Sequence, residues 1–227
     1  MRNFNLLSDY PKSQTTRYVG SNLRTIKHRL VASYRDKEFY DGDRNYGYGG
    51  FKYDGRWQKI ANKICKEYNL NNESSFLQLD CEKGFLLNDL KNLFPKMQIH
   101  GLETSNYAID NSMDSVKKYI KKTDNYLRLE FEDNKLDFVI ALGVVYVQNL
   151  KDAIKCLKEI QRVSKGKSFI TLGSYETKEE YWLLREWTLL GTIILKENEW
   201  IEILKHVNYT GDYSLVNAKK LNLVSKN

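Results

Sequence analysis

At 227 residues, with 41% hydrophobic and 29% charged residues, the chain suits one globular domain with an elaborate core, or one domain plus an arm, and a wholly disordered chain is excluded. The net charge of +7 allows attraction to nucleic acid, anionic membrane or phosphorylated molecules, and only two prolines occur, which excludes a Pro-rich linker. No apolar run approaches the roughly 20 residues that span a bilayer, and Met1 to Tyr10 lacks a cationic start followed by an apolar stretch, so a cytoplasmic protein without membrane contact is expected.

The first stretch, 1–56, is polar, Tyr-rich and Arg-rich and is expected to form an arm or lid. From Trp57 to 227 the texture changes to alternating helical and strand patterns, the expected α/β domain. "WQKIANKICKEYNL" places Trp57, Ile60, Ile64 and Tyr68 at helical spacing. "SFLQLD" (Ser75 to Asp80) reads as a buried strand and "GFLLNDLKNLF" (Gly84 to Phe94) as a helix. "MQIHGLE" (Met97 to Glu103) is the next strand, and Ser105 to Ile120 is predicted to be one helix with Ser105 as N-cap. A short strand is predicted at "NYLRLE" (Asn125 to Glu130), and the most apolar strand lies in Leu136 to Val147. An amphipathic helix (Asn149 to Ser164), a strand (Lys167 to Tyr175) and two helices (Lys178 to Leu190, Lys196 to Val207) follow. "GDYSLV" and "KKLNLVS" are predicted to form a final strand pair. This alternation predicts an α/β fold with a doubly wound, mostly parallel sheet. Sites in such sheets lie outside the carboxyl ends of the strands, near the switch in strand order. The loops after Leu79, Leu102, Leu142 and Leu172 are therefore the places to look.

Within "FLQLDCEKGFLLNDL" (Phe76 to Leu90) a strand runs into a glycine-containing turn and a helix, and Glu103 follows Gly84 by 19 residues. A glycine turn with an acid about 20 residues on is the pattern of adenosine-type cofactor binding, the acid accepting from ribose hydroxyls. Here the chain resembles the class I S-adenosylmethionine-dependent methyltransferases. The resemblance runs from about Trp57 onward and is sharpest in "CEKGFLLNDL", "IHGLETSNYAID", "EDNKLDFVIAL" and "LKDAIKCLKEIQRVSKGKSFI". It implies a Rossmann-like sheet, S-adenosylmethionine as cofactor, and Gln78, Asp80, Glu82, Gly84, Glu103 and Leu142 as the cofactor-facing positions. Aligned on Gly84, the family's first acid becomes Gln78, and its first two glycines become Asp80 and Glu82. Side chains there are predicted to be strained if the backbone keeps a positive φ. The segment that normally reads the adenine is also shorter. The other reading of "DCEKG" is a plain strand-to-helix turn with Asp80 near the N-cap.

After the fourth strand of the fold, Tyr146 is the single side chain able to exchange a proton, and it is the catalytic candidate, although a tyrosine's ordinary pKa near 10 makes it a poor base. His28, His100 and His206 sit in positions that suit structure rather than catalysis. No His, Cys and carboxylate spacing suggests a metal, and Cys65, Cys81 and Cys156 are expected to be reduced thiols. In the arm, "YGYGGFKYDGRW" offers Tyr46, Tyr48, Lys52, Tyr53, Arg56 and Trp57 for an acceptor, with Arg44 nearby. Tyrosines stack on sugars or bases, and arginines clamp phosphate bidentately. A packed surface hairpin is the competing reading. The expected substrate is a small phosphorylated or sugar-linked acceptor, and the resemblance suggests bacterial capsule or surface-glycan modification. The alternative is a non-catalytic pseudoenzyme with impaired cofactor binding, in a homo- or hetero-oligomer with an active methyltransferase. The cations are scattered, as in "RTIKHR" and "VKKYIKK", so solvated helix faces are favoured over a nucleic-acid site.

Overall fold

In the computed structural model, which describes residues 1–11, 15–20 and 22–226, the main sheet has six strands, all parallel. In chain order the strands are β1 (Arg17–Val19), β2 (Ser75–Leu79), β3 (Gln98–Glu103), β4 (Ile120–Lys122), β5 (Phe138–Ala141), β6 (Ser168–Gly173), β7 (Asp212–Val216) and β8 (Leu223–Ser225). The main sheet runs β4-β3-β2-β5-β6-β7, so the order reverses between β2 and β5. The helices are α1 (Ile26–Ser33), α2 (Lys37–Asp41), α3 (Gln58–Tyr68), α4 (Phe85–Leu93), α5 (Asn106–Asp110), α6 (Leu150–Val163), α7 (Lys178–Trp187) and α8 (Glu197–His206).

A parallel strand is covered on both faces and must be apolar on both. Alternate residues of one strand point to opposite faces. Phe76, Phe138, Ile140 and Phe169 accordingly join Ile60 and Ile64 of α3 and Leu86, Leu87 and Leu90 of α4 on one face. Leu77, Leu79, Val139, Ala141 and Ile170 pack on the other with Leu157 and Ile160 of α6 and Trp200 and Leu204 of α8. Trp200 Nε1 donates to the carbonyl of Gly173 at 2.8 Å, which ties α8 to the end of β6. No helix among the described residues is long and apolar enough to cross a membrane.

Three details depart from the sequence reading. Ser105 to Ile120 is not one helix: α5 ends at Asp110, a 3-10 turn occupies Lys117–Tyr119, and β4 follows at once. The strand beside β3 is therefore Ile120–Lys122, and its exposed Lys121 and Lys122 suit an edge strand. "NYLRLE" is irregular. Its carbonyls are met by α6 instead of a ladder, with Arg162 donating to Leu129 and Phe131 at 2.9 and 2.8 Å. Finally, the last two strands do not pair with each other. β7 joins the main sheet beside β6, while β8 pairs in parallel with β1 from the arm.

Candidate functional site

The site lies at the carboxyl ends of β2, β5 and β6. In the loop after β2, Asp80, Glu82 and Gly84 all have positive φ, at 56°, 54° and 77°. Gly84 begins α4, and a Cβ there would lie 2.9 Å from Val116 Cγ2. The backbone thus keeps a shape suited to glycine at two positions that carry acidic side chains, a strain of about 1–2 kcal/mol each.

Glu103, at the end of β3, is fully buried. Its carboxylate accepts from the backbone N–H groups of Glu82 at 2.6 Å and of Thr104 and Ser105 at 2.8 Å each. Burial and the nearby Asp80 push its carboxyl up, and Arg35 opposes them. Arg35 comes from the turn between α1 and α2, itself at φ 50°. Its guanidinium grips Asp80 through both terminal nitrogens at 2.8 Å and reaches 3.9 Å from Glu103. It also donates to the Tyr40 hydroxyl at 2.9 Å. Among the described residues, Arg35 Nε has no hydrogen-bond partner.

Aromatic side chains hold this segment in place. Tyr126 donates to Asp80 at 3.2 Å, and Tyr48 donates to Glu82. Phe51 stacks on Phe85 of α4 at 4.7 Å between centroids. Lys83 reaches back to Asp41 of α2 at 2.6 Å and to the Phe51 carbonyl at 3.0 Å. Burial first, then Asp80, push the Glu82 carboxyl up to about 8.

Beside this cluster opens a cavity of about 310 Å³. Arg17, Arg24 and Arg44 line one side, with Trp187 between them and α7, and Leu142, Gly143 and Tyr146 line the sheet side. Arg29 forms part of the support. It donates to the carbonyls of Arg185, Glu186 and Thr188 at the end of α7, where a cation suits the helix dipole.

Of the residues singled out from the sequence, Asp80, Glu82, Leu142, Tyr146 and Tyr48 meet at this cavity. Gln78 is buried in β2 behind it, and its Oε1 has no partner among the described residues. Tyr46, Lys52, Tyr53, Arg56 and Trp57 lie outside the cavity lining. Tyr46 meets His28 edge-on at 5.5 Å, Tyr53 donates to Asp89 at 2.5 Å, Arg56 pairs with Asp54, and Trp57 packs on Tyr10 at 4.8 Å. Lys52 is solvent-exposed. Burial pushes the Tyr146 hydroxyl above its ordinary value, which favours donation over proton uptake. Arg17, Arg24, Arg35, Tyr40, Tyr126 and Trp187 were not foreseen. One signal pointed to Arg35: three acids converging on one loop need a cation.

The donor set suits a ligand with a cationic end and hydroxyl groups. Asp80 offers a carboxylate to the cation, and Glu103 stands 19 residues after Gly84 at the end of the next strand. Arg35 stands where such a positive charge would sit, so binding at these two acids requires its withdrawal.

Residues 77–172 match the family model described as a methyltransferase domain. The fold is shared with YcgJ from Bacillus subtilis, at 13% identity and TM-score 0.53, over 65% of this chain and 66% of that one. It is shared with the [4+2]-cyclase SpnF at 15% identity and TM-score 0.53, over 85% of this chain and 75% of the other. A Haloferax volcanii protein solved in complex with the Trm112 methyltransferase activator matches at 18% identity and TM-score 0.50, over 68% and 72% of the two chains. No curated protein matches. The sheet is that of a Rossmann-like methyltransferase fold, and a cyclase among its neighbours shows that this fold does not dictate one reaction.

Proposed function

We propose that the protein is an S-adenosylmethionine-dependent methyltransferase whose acceptor is a small phosphorylated or sugar-linked molecule, with bacterial glycan or capsule biosynthesis as its setting. The observation that carries this reading is the loop after β2. It keeps positive φ at Asp80, Glu82 and Gly84 and faces Glu103, inside the segment that matches the methyltransferase domain. When bound, S-adenosylmethionine supplies a methyl group already activated on a sulfonium. What remains for the protein is mainly positioning and exclusion of water. Asp80 holds the cationic end and Glu103 the ribose hydroxyls. Tyr48 and Phe51 cover the loop. Tyr146 and Leu142 wall the acceptor side of the cavity. Glu82 lines that cavity with a carboxyl pushed up to about 8, close to the pKa a general base needs near neutral pH.

Calorimetric titration with S-adenosylmethionine and S-adenosylhomocysteine tests the reading on the wild type and on Arg35→Gln and Glu103→Ala. Binding that strengthens in Arg35→Gln and disappears in Glu103→Ala supports it. Absence of binding up to millimolar concentration in both wild type and Arg35→Gln rejects it.

A second reading is favoured by Arg35 itself, which already neutralises the two acids. In that reading the protein is a non-catalytic relative that partners an active methyltransferase, as the Haloferax neighbour pairs with an activator. It requires that neither wild type nor Arg35→Gln binds the cofactor.

A further inference from the structure

We infer that Arg17, Arg24 and Arg44 form a preorganised subsite for the phosphoryl group of a small phosphorylated ligand, with the ligand body lying in the adjoining cavity. This deepens the acceptor half of the proposed function, but the subsite is complete without any cofactor.

Three guanidiniums reach one cavity from separate places in the chain: β1, the segment before α1, and the loop after α2. Among the described residues, no carboxylate forms an ion pair with any of them. The other arginines of comparable burial behave differently. Arg35 holds Asp80, and Arg162 holds Glu159 and Asp133. Bringing like charges together without a counter-ion is unfavourable, and the cost grows as water is removed. The effect is visible at Arg24, where burial and then Arg44, Arg29 and Arg17 push the guanidinium down to about 10. Arg17 is lowered by burial and by Arg44. A bound dianion would relieve this repulsion.

The side chains are held apart and aimed by other contacts. Arg24 lies over the Trp187 ring at 4.3 Å and Arg17 at 5.4 Å. Arg17 also donates to the Leu221 carbonyl at 3.3 Å, and Arg44 donates to the Gly47 carbonyl. Such fixing keeps their remaining N–H groups free to converge on an oxyanion, where arginine forks are strongest. The two acids that line the cavity do not cancel this field. Asp80 is engaged by Arg35, and Glu82 accepts from Tyr48 with its carboxyl held largely in the neutral form at pH 7.

The size narrows the ligand. Ligand cavities span roughly 300–1,000 Å³, and this one, at about 310 Å³, is at the small end. It suits a sugar phosphate or a similar phosphorylated metabolite better than a sugar nucleotide.

The test is calorimetry and thermal melting of the full chain at fixed ionic strength, with inorganic phosphate, glucose 6-phosphate, glucose and UDP-glucose as probes and no cofactor present. Phosphate and glucose 6-phosphate are expected to bind and raise Tm, and glucose to do neither. Arg24→Gln and Arg44→Gln should each weaken glucose 6-phosphate by roughly tenfold or more. Both should melt at or above the wild-type temperature without ligand, because a repulsive charge is gone; this also confirms that they fold. Arg128→Gln, an exposed arginine far from the cavity, should bind as the wild type does. Equal binding by Arg24→Gln, Arg44→Gln and wild type overturns the inference, as does the absence of any phosphate-dependent response. Tighter binding of UDP-glucose than of glucose 6-phosphate overturns the assignment of ligand size. If phosphates bind while S-adenosylmethionine does not, the subsite stands and methyl transfer falls.

Discussion

Replacing Arg35 by glutamine keeps much of the side-chain volume and removes the one cation between Asp80 and Glu103. Arg35 contributes two contacts of 2.8 Å to Asp80 and stands 3.9 Å from Glu103. Removing one partner of a buried ion pair costs about 3–5 kcal/mol, because the other charge is left uncompensated. Glu103, whose carboxyl is already pushed up, can take a proton in the variant, so the lower end, about 3 kcal/mol, is expected. For a chain of this size that lowers Tm by roughly 6–12 °C. The sign with pH follows from the direction of the shift. A carboxyl raised above its unfolded value contributes stability at low pH that is lost as pH rises through its folded pKa. Without Arg35 the rise is larger, so the penalty should be greater at pH 8.5 than at pH 5.5. Ligand binding should move the opposite way. If wild type must withdraw Arg35 at a cost near 3 kcal/mol, its affinity is about 100-fold below that of an open groove. Arg35→Gln should therefore bind S-adenosylmethionine at least tenfold more tightly by calorimetry, although it is the less stable protein. A variant that melts within about 1 °C of wild type at both pH values would refute the ion-pair argument. Weaker cofactor binding by the variant would refute the competition argument and make Arg35 a ligand-binding residue.

Gly84→Ala should destabilise by roughly 2–3 kcal/mol in urea titration, since alanine at this positive φ is strained and its Cβ would stand 2.9 Å from Val116 and 3.0 Å from Ile120. Glu82→Gln should flatten the fall in stability that wild type shows between about pH 4.5 and 8, the window set by the raised carboxyl, and should raise Tm at pH 8.5; an unchanged pH profile would count against its burial as a titrating acid. If Glu82 is the proton acceptor, the same variant should lose at least a hundredfold in kcat, whereas Tyr146→Phe should lose only a few-fold in methyl transfer. A larger loss in Tyr146→Phe would return the catalytic role to that tyrosine.

The core elements were legible because burial on both faces leaves a plain pattern. The apolar runs at Phe76 and Val139 and the heptad-like spacing of Leu150, Ile154 and Leu157 mark β2, β5 and α6 directly. The edge was not legible. β4 has three residues, two of them exposed lysines, and its pairing depends on Gly101 to Glu103 rather than on its own composition. "NYLRLE" has a good strand pattern, but Tyr126 and Leu129 are drawn into the core by Asp80 and Arg162. The loop after β2 was readable as a site because Gly84 and Glu103 have telling spacing. Its filling was not, since Arg35 lies 45 positions before Asp80 and reaches it through tertiary structure alone. Arg17, Arg24 and Trp187 form a cavity wall for the same reason. Nothing in their local sequence marks them, and β1 is brought there by pairing with β8.

That pairing has a consequence for the order in which the molecule is made. β1 is among the first segments of the chain to be synthesised, and its partner, Leu223–Ser225, is among the last. Two hundred residues of loop must close before these three-residue strands can meet, and closure over such a span is slow. The main sheet needs nothing beyond β7 and can form while β8 is still being translated. The arginine wall therefore matures after the core around it, and a stop codon just before Leu223 should yield a folded sheet whose cavity has lost the anchor of Arg17.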